Sequence, residues 1–262
     1  MKRTIFSIFI FSLSLIAIGQ VRTMENKAFQ RGEKFRFRVY YNSFLTGKVT
    51  AGEATLEVKS EPKIIGGRPT YHVEGLGWSK GAFNLFFKVD DRFETFIDEE
   101  ALIPWLFIRR TKEGDYERND DVTFDHYKNI AISRQKVNDI PVNVQDIISS
   151  FYWARNLDTR KSKIGDEFNF NFFLDDSTYT SKIVYQGVEE IKVATGRYRA
   201  IKIKPMVATG NTFKEQFPMD IWVSDDENRI PLKGTSGIRV GSVNFEIIGY
   251  SGLRNEDLAK IK

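Results

Sequence analysis

A chain of 262 residues with 39 basic and 35 acidic side chains, a net charge of +4 and no cysteine is bounded first by what it lacks. Without cysteine it has no disulfide, no thiolate zinc site and no lipid-modified cysteine anchor, so stability must come from a hydrophobic core, for which the length suffices. The charges are dispersed and nearly balanced, which excludes the basic footprint of a nucleic-acid binder.

Lys2 and Arg3 precede an apolar run from Ile5 to Ile18, and Ala17 and Gly19 are small residues at signal-peptidase spacing. The pattern predicts a signal peptide over 1–19, cleavage before Gln20, and export to the periplasm or an envelope-associated position. The run is short for a bilayer span, which needs about 20 residues, so no transmembrane segment is expected after cleavage. Two of the 39 basic residues leave with the leader, and the net charge drops from +4 to +2. A single β-rich domain is expected over 20–254, followed by a charged tail, 255–262, read as a frayed end or small helix.

Strand signals then come in close succession. Phe35, Phe37, Val39 and Tyr41 alternate with Lys34, Arg36, Arg38 and Tyr40, the pattern of a half-buried strand. Val49 to Val58 continues it, with Gly52 at a phase change that predicts a bulge. A turn at Ile64–Pro69 leads to a strand over Tyr71–Trp78. The aromatic segment Phe83–Ile97 reads as one long strand or two. Leu106–Arg110 and Asp115–Asp125 flank a turn at Lys112-Glu113-Gly114, and Ile130–Val137 gives one more short strand.

The one strong helix signal is at about 142–157. Asn143 is a plausible N-cap with Asp146 completing a capping box, and Val142 with Ile147 would form a hydrophobic staple. At about 100° per residue, Ile147, Ile148, Phe151, Tyr152 and Ala154 share an apolar face, with Asp146, Ser149, Ser150 and Asn156 opposite. Two placements break this division: Arg155 projects into the apolar face, and Trp153 and Leu157 lie among the polar residues. Arg155 has two readings, a stem along the core edge with its head in water, or a buried guanidinium held by a carboxylate from a strand. Trp153 is the best candidate for a partly exposed aromatic, its alternative being a ring packed under a loop.

Beyond the helix, Phe168, Phe170 and Phe172 alternate with polar residues, Asp175-Asp176 marks a turn, and Tyr179–Tyr185 is a strand. Ile201 and Ile203, a turn at Thr209-Gly210-Asn211, and strands over Phe217–Val223, Arg229–Leu232 and Val243–Ile247 follow. The predicted fold is all-β: a curved antiparallel sheet, or a partly open barrel or sandwich, packed around the central helix.

Chemistry is harder to find. His72 and His126 lie in separate strand-like segments, no nucleophile, metal or phosphate motif is present, and neither a metal site nor a cofactor is expected. The acidic groups Asp90-Asp91, Asp120-Asp121, Asp175-Asp176 and Asp225-Asp226-Glu227 read as solvated turn acids. Aromatic residues make up 14% of the chain, with 22 phenylalanines, enough to fill a β core and also to line an apolar pocket open to one side.

Several strings resemble, in order and spacing, the bacterial domain-of-unknown-function family 3108. They are Leu102-Ile103-Pro104, Glu113-Gly114-Asp115-Tyr116, Phe124-Asp125, the helix Asp146-Ile147-Ile148-Ser149-Ser150-Phe151-Tyr152-Trp153-Ala154-Arg155, Gly196-Arg197-Tyr198-Arg199-Ala200, Ile221-Trp222-Val223-Ser224-Asp225-Asp226 and Arg229-Ile230-Pro231. The resemblance implies an exported, often envelope-associated β-rich domain. It supplies no catalytic residue, and Asp146, Tyr152 and Arg155 match the helix motif without an assigned role. Asp146, Tyr152, Trp153 and Arg155 are therefore the candidate ligand-binding or structural residues, with no catalytic and no metal-ligating residue named. Three functions stay open: a non-catalytic envelope protein binding an apolar or amphiphilic small molecule or an envelope protein partner, an exported hydrolase or lyase acting on a glycan or peptidoglycan fragment, and a structural or assembly factor of the envelope.

Overall fold

The computed structural model describes residues 21–44, 47–206, 218–237 and 241–261. The predicted leader with its cleavage site, the turn at 209–211 and Phe217 lie outside them.

The first half contributes β1 (Lys34–Ser43), β2 (Gly47–Val58), β3 (Lys63–Ile65), β4 (Arg68–Ser79), a one-turn helix α1 (Phe83–Phe86), β5 (Asp90–Asp98), β6 (Pro104–Glu113), β7 (Tyr116–Asp125), β8 (Ile130–Ile132) and β9 (Val137–Asp139). Helix α2 (Ile147–Ala154) leads into β10 (Glu167–Leu174), β11 (Ser177–Val193), β12 (Gly196–Pro205), β13 (Met219–Ser224), β14 (Pro231–Gly237), β15 (Ser242–Ser251) and β16 (Lys260–Ile261). All pairings between these strands are antiparallel, in the order β10 to β15, then β1, β2 and β4 to β9, with β3 beside β4 and β16 beside β12.

The late strand β15 therefore joins the first, β1, and β9 and β10, neighbours in sequence, end up at opposite edges. Helix α2 is the connection between those two edges. The sheet is not closed into a barrel. At the β10 edge, Gln145 forms a parallel bridge to Phe172, its backbone N–H donating to Asn171 and its carbonyl accepting from Phe173, both at 2.8 Å.

Local chemistry explains the joints. Pairing of β1 with β2 steps from Val39–Gly52 to Tyr40–Thr50, the expected bulge, and a Cβ on Gly52 would fall 2.2 Å from the Trp78 carbonyl oxygen. Asp175 and Asp176, with φ of 50° and 55°, form the tight two-residue turn between β10 and β11. Four expectations change. Phe83–Phe86 is a helical turn rather than strand, Ile130–Val137 belongs to a hairpin of two strands, and Arg229 is a turn residue with φ of 50°. The tail is docked rather than frayed: Ala259 is buried, and Lys260 and Ile261 pair with Tyr198 and Arg197.

Helix α2 is shorter than its sequence signal and is capped by a different residue. Asp146 is the N-cap: its Oδ1 accepts from the backbone N–H groups of Ile148 and Ser149 at 2.7 Å, and the Asp146 N–H donates to the Ser149 hydroxyl at 2.8 Å. This reciprocal box satisfies amides that would otherwise be orphaned. Asn143 instead takes φ of 59° in the preceding loop, and Val142 is 66% exposed, so no staple forms. Among the described residues, no helix is long and apolar enough to cross a membrane.

Candidate ligand cavity beside the helix

The two faces of α2 meet different surroundings. Asp146, Ser149, Tyr152 and Trp153 lie on one side at the helical spacing and are buried, whereas Ile147, Ser150, Phe151 and Ala154 on the other side are only half-buried. The packed face is thus rotated from the apolar stripe expected. Ser149 can turn inward because its hydroxyl is spent in the capping box, and Trp153 packs its ring on Phe170 of β10 at 5.2 Å, so it is not an exposed aromatic. Three of the five residues expected to form the core stripe face open space.

On the packed side, Tyr152 is completely buried, edge-on to Phe29 with ring centroids 4.6 Å apart, among Val58, Val73, Ile97 and Leu102. Its hydroxyl has no hydrogen-bond partner among the described residues, and burial holds its pKa well above the usual phenol value. Asp146 uses its second carboxylate oxygen to accept from the Thr95 hydroxyl on β5. Burial pushes this carboxyl up to about 6 despite those donors.

Arg155, the C-cap residue, follows the buried reading. Its Nη1 and Nη2 donate to both oxygens of Glu33 at 2.6 and 2.7 Å, its Nε and Nη2 to the Asn228 carbonyl at 3.0 and 2.8 Å, and Nη2 also to the Ala28 carbonyl at 3.1 Å. The rings of Phe29, Phe35, Phe151 and Tyr152 surround the guanidinium at 5.1 to 5.7 Å. Burial disfavours the cation, but the Glu33 carboxylate outweighs it and raises the Arg155 pKa. The partner comes from the loop before β1, not from a strand. Asn228 in turn donates from its side chain to the carbonyls of Asn255 and Glu256, so Arg155 ties together the entry to β1, the helix end, the β13–β14 turn and the tail. This is a structural knot in which every nitrogen of the guanidinium is engaged.

The opposite side is open. Between α2 and strands β10 to β13 lies a cavity of about 200 Å³ walled by Ile147, Ala154, Phe168, Ile183 and Ile203. A second cavity of about 400 Å³ lies against β1, β2 and β13 to β15, walled by Phe37, Val39, Leu56 and Phe245. Phe151 and Ile221 line both and form their shared wall. The larger falls in the roughly 300–1,000 Å³ range usual for small-molecule sites. Gly234 shapes it: a Cβ there would fall 2.1 Å from the Phe245 ring, so only glycine lets that ring lie across β14.

Of the sequence candidates, Asp146, Tyr152 and Trp153 lie on the packed side and Arg155 lies at the junction of the two sides. Phe151, Ile221 and Arg229 were not singled out for a binding role. The apolar helix residues at 147, 151 and 154 were visible, but nothing in their spacing distinguishes core from cavity wall.

The remaining chemistry is structural. His72 shares a 2.7 Å hydrogen bond with Glu94 and stacks on Phe96, and buried His126 donates from Nε2 to the Pro104 carbonyl, burial lowering its pKa to about 4. The acidic doublets are less solvated than expected. Asp120 bridges Arg109 and Arg118 within strands, and Asp175 joins the same network across the sheet's two ends. Asp91 is raised to about 6, chiefly by burial and further by adjacent Glu113, but the pair lies on none of the cavities described. Among the described residues, no group of three or more His, Asp or Glu side chains gathers as a metal site.

A large antiparallel sheet wrapped around a short capped helix, with apolar space on one side of it, defines a β-rich, barrel-like class of protein. Residues 36–248 match the family model described as "Protein of unknown function (DUF3108)", and the chain belongs to that family. The fold is similar to that of a β-barrel-like protein of the domain of unknown function DUF1849 from Brucella abortus, with a TM-score of 0.57 and 11% identity over 86% of this chain and 99% of that one. A lipoprotein candidate from Parabacteroides distasonis ATCC 8503 aligns with a TM-score of 0.39 and 8% identity over 88% of this chain and 100% of that one. An exported-protein candidate with a YmcC-like fold from Bacteroides fragilis NCTC 9343 gives 0.36 and 10% over 88% and 100%. No curated protein sequence matches the chain significantly.

Proposed function

We propose that this chain is an exported, non-catalytic envelope protein that binds an apolar or amphiphilic ligand in the concavity of its sheet. The observation that carries the reading is the pair of apolar cavities sharing Phe151 and Ile221, beside a helix whose other face is fully packed. Export is supported by Lys2 and Arg3 ahead of the apolar run Ile5–Ile18. A folded chain gains stability by filling apolar space with its own side chains. Space of this size, left between well-packed clusters, fits a molecule that comes and goes. The walls suit a hydrocarbon or fused-ring ligand, held by burial of apolar surface.

The test is native mass spectrometry of the gently purified protein, combined with titration of the neutral apolar dye N-phenyl-1-naphthylamine. The reading expects a retained lipid-like mass and saturable dye binding. A clean unliganded mass together with no dye binding contradicts it.

A further inference from the structure

The smaller cavity is apolar along its length but not at its end. At the C-terminal end of α2 its wall passes from Ala154 to Leu157, Thr159 and Arg229. Arg229, with Arg155 and Leu157, also lines a polar cleft of about 290 Å³ on the outside. Arg155 is consumed by Glu33 and three carbonyl contacts, so Arg229 is the cation left at the junction of apolar cavity and polar cleft.

Its surroundings leave it only partly neutralised. Nη1 donates to Asp225 at 3.3 Å and Nη2 to the Thr159 hydroxyl at 3.0 Å. Asp225 is shared with Arg199, whose contact is shorter at 2.7 Å. Three carboxylates line the cleft: Asp158 is held by Arg160 at 2.7 Å, Glu25 by Lys27 at 3.1 Å, and Glu227 is the third. A guanidinium carries five N–H donors in a planar fork, so donors remain for an incoming anion.

The backbone fixes where Arg229 stands. Arg229 stands at φ of 50°, a left-handed conformation that suits glycine or asparagine and that arginine adopts at a cost. The turn is clamped into it: Asp226 Oδ1 accepts from the backbone N–H groups of Asn228 and Arg229, and the Ser224 hydroxyl accepts from that of Ile230. These hydrogen bonds hold the turn in place, which fixes the Arg229 side chain at the mouth of the cavity.

Building on the proposed ligand reading, we infer that the cavity takes a single-chain amphiphile with an anionic headgroup, a carboxylate such as that of a fatty acid, which sits beside the hydrogen-bonded Arg229–Thr159 pair and accepts from the remaining Arg229 donors, with its tail running under α2. The tail follows Ala154 and Ile203 towards Phe151, where the larger cavity begins. The headgroup lies at the mouth of the polar cleft, in reach of water. A neutral chain of equal length gains the apolar contacts but not the charge-assisted hydrogen bonds.

The experiment is displacement of bound N-phenyl-1-naphthylamine by palmitate and by hexadecanol, on wild-type protein and on Arg229→Asn and Arg229→Lys. Asparagine removes the cation while suiting the backbone, so its melting temperature is expected to be no lower than that of the wild type. Palmitate should compete about tenfold better than hexadecanol on wild type. Arg229→Asn should bring the ratio of palmitate to hexadecanol competition, each measured against the dye on the same protein, to about one, and Arg229→Lys should keep most of the preference. Dye binding with palmitate and hexadecanol equal on all three proteins overturns the headgroup assignment and leaves the apolar reading intact. Absence of dye binding together with a clean unliganded mass overturns both.

Discussion

The two sides of helix α2 are built from neighbouring residues and do opposite things. Tyr152 is sealed against Phe29 and the sheet of the first half, whereas Phe151, the residue before it, is half-buried and stands between two cavities. Both sides are rich in rings, so hydrophobicity does not separate them. What separates them is where the remaining polar groups go. The packed side draws its charged groups into partnered networks, Asp146 with Thr95 and Ser149, Arg155 with Glu33 and Asn228, and leaves the Tyr152 hydroxyl without a partner among the described residues. The open side keeps its charged group, Arg229, at the end where a ligand headgroup would sit.

The largest effect should come from breaking the knot. Arg155→Ala leaves Glu33 buried without its counter-ion and should destabilise by about 3–5 kcal/mol in urea unfolding. Ser150→Ala, on the open side, should lie within about 0.5 kcal/mol of wild type. Equal unfolding midpoints would remove the distinction between the sides.

A smaller effect separates them by pH. With its pKa pushed up to about 6, against about 3.9 unfolded, Asp146 retains a proton in the folded state that the unfolded chain releases. Its contribution to stability is therefore present below about 4 and lost as pH rises through about 6. His126, lowered to about 4, works in the opposite sense, since its contribution is present above its unfolded value near 6.5 and lost as pH falls through 4. The two offset each other in the wild type. The difference in unfolding free energy between Asp146→Asn and wild type isolates the first and should rise with pH from about 4 to 6. A flat difference would place Asp146 among ordinary solvated carboxylates.

The smallest effect is the most pointed about the family's helix motif. The Tyr152 hydroxyl is buried without a partner among the described residues, so Tyr152→Phe should be neutral or slightly stabilising, within about 1 kcal/mol. A large loss would mean that the hydroxyl does work that its surroundings do not reveal.

Much of the sheet was legible in the sequence because alternation is local: Phe35 and Phe37, or Phe168 to Phe172, declare their strand without reference to anything else. The bulge at Gly52 and the turn at Asp175-Asp176 were legible for the same reason. The helix was visible, but its start was not. Asn143 and Asp146 are both competent caps, and the choice was decided by Thr95, 51 residues away in sequence. The placement of Arg155 depended on Glu33, 122 residues away in a loop with no strand signature. The cavities were least legible. Whether Ile147, Phe151 and Ala154 meet side chains or space depends on how far β12 and β13 stand from the helix, and that follows from the whole sheet order, including the joining of β15 to β1 that no local pattern encodes.

The contrast between the helix faces is tested most directly by one paired measurement, dye affinity and urea midpoint on Ala154→Trp and Tyr152→Ala. The indole of Ala154→Trp should occupy the smaller cavity and weaken dye binding, leaving only what the larger cavity contributes, while the midpoint stays close to wild type. Tyr152→Ala should lose about 3–5 kcal/mol of stability, while its folded fraction binds dye with wild-type affinity. Unchanged dye binding in Ala154→Trp, or a Tyr152→Ala protein that keeps its stability and loses the ligand, would contradict the assignment of one face to structure and the other to binding.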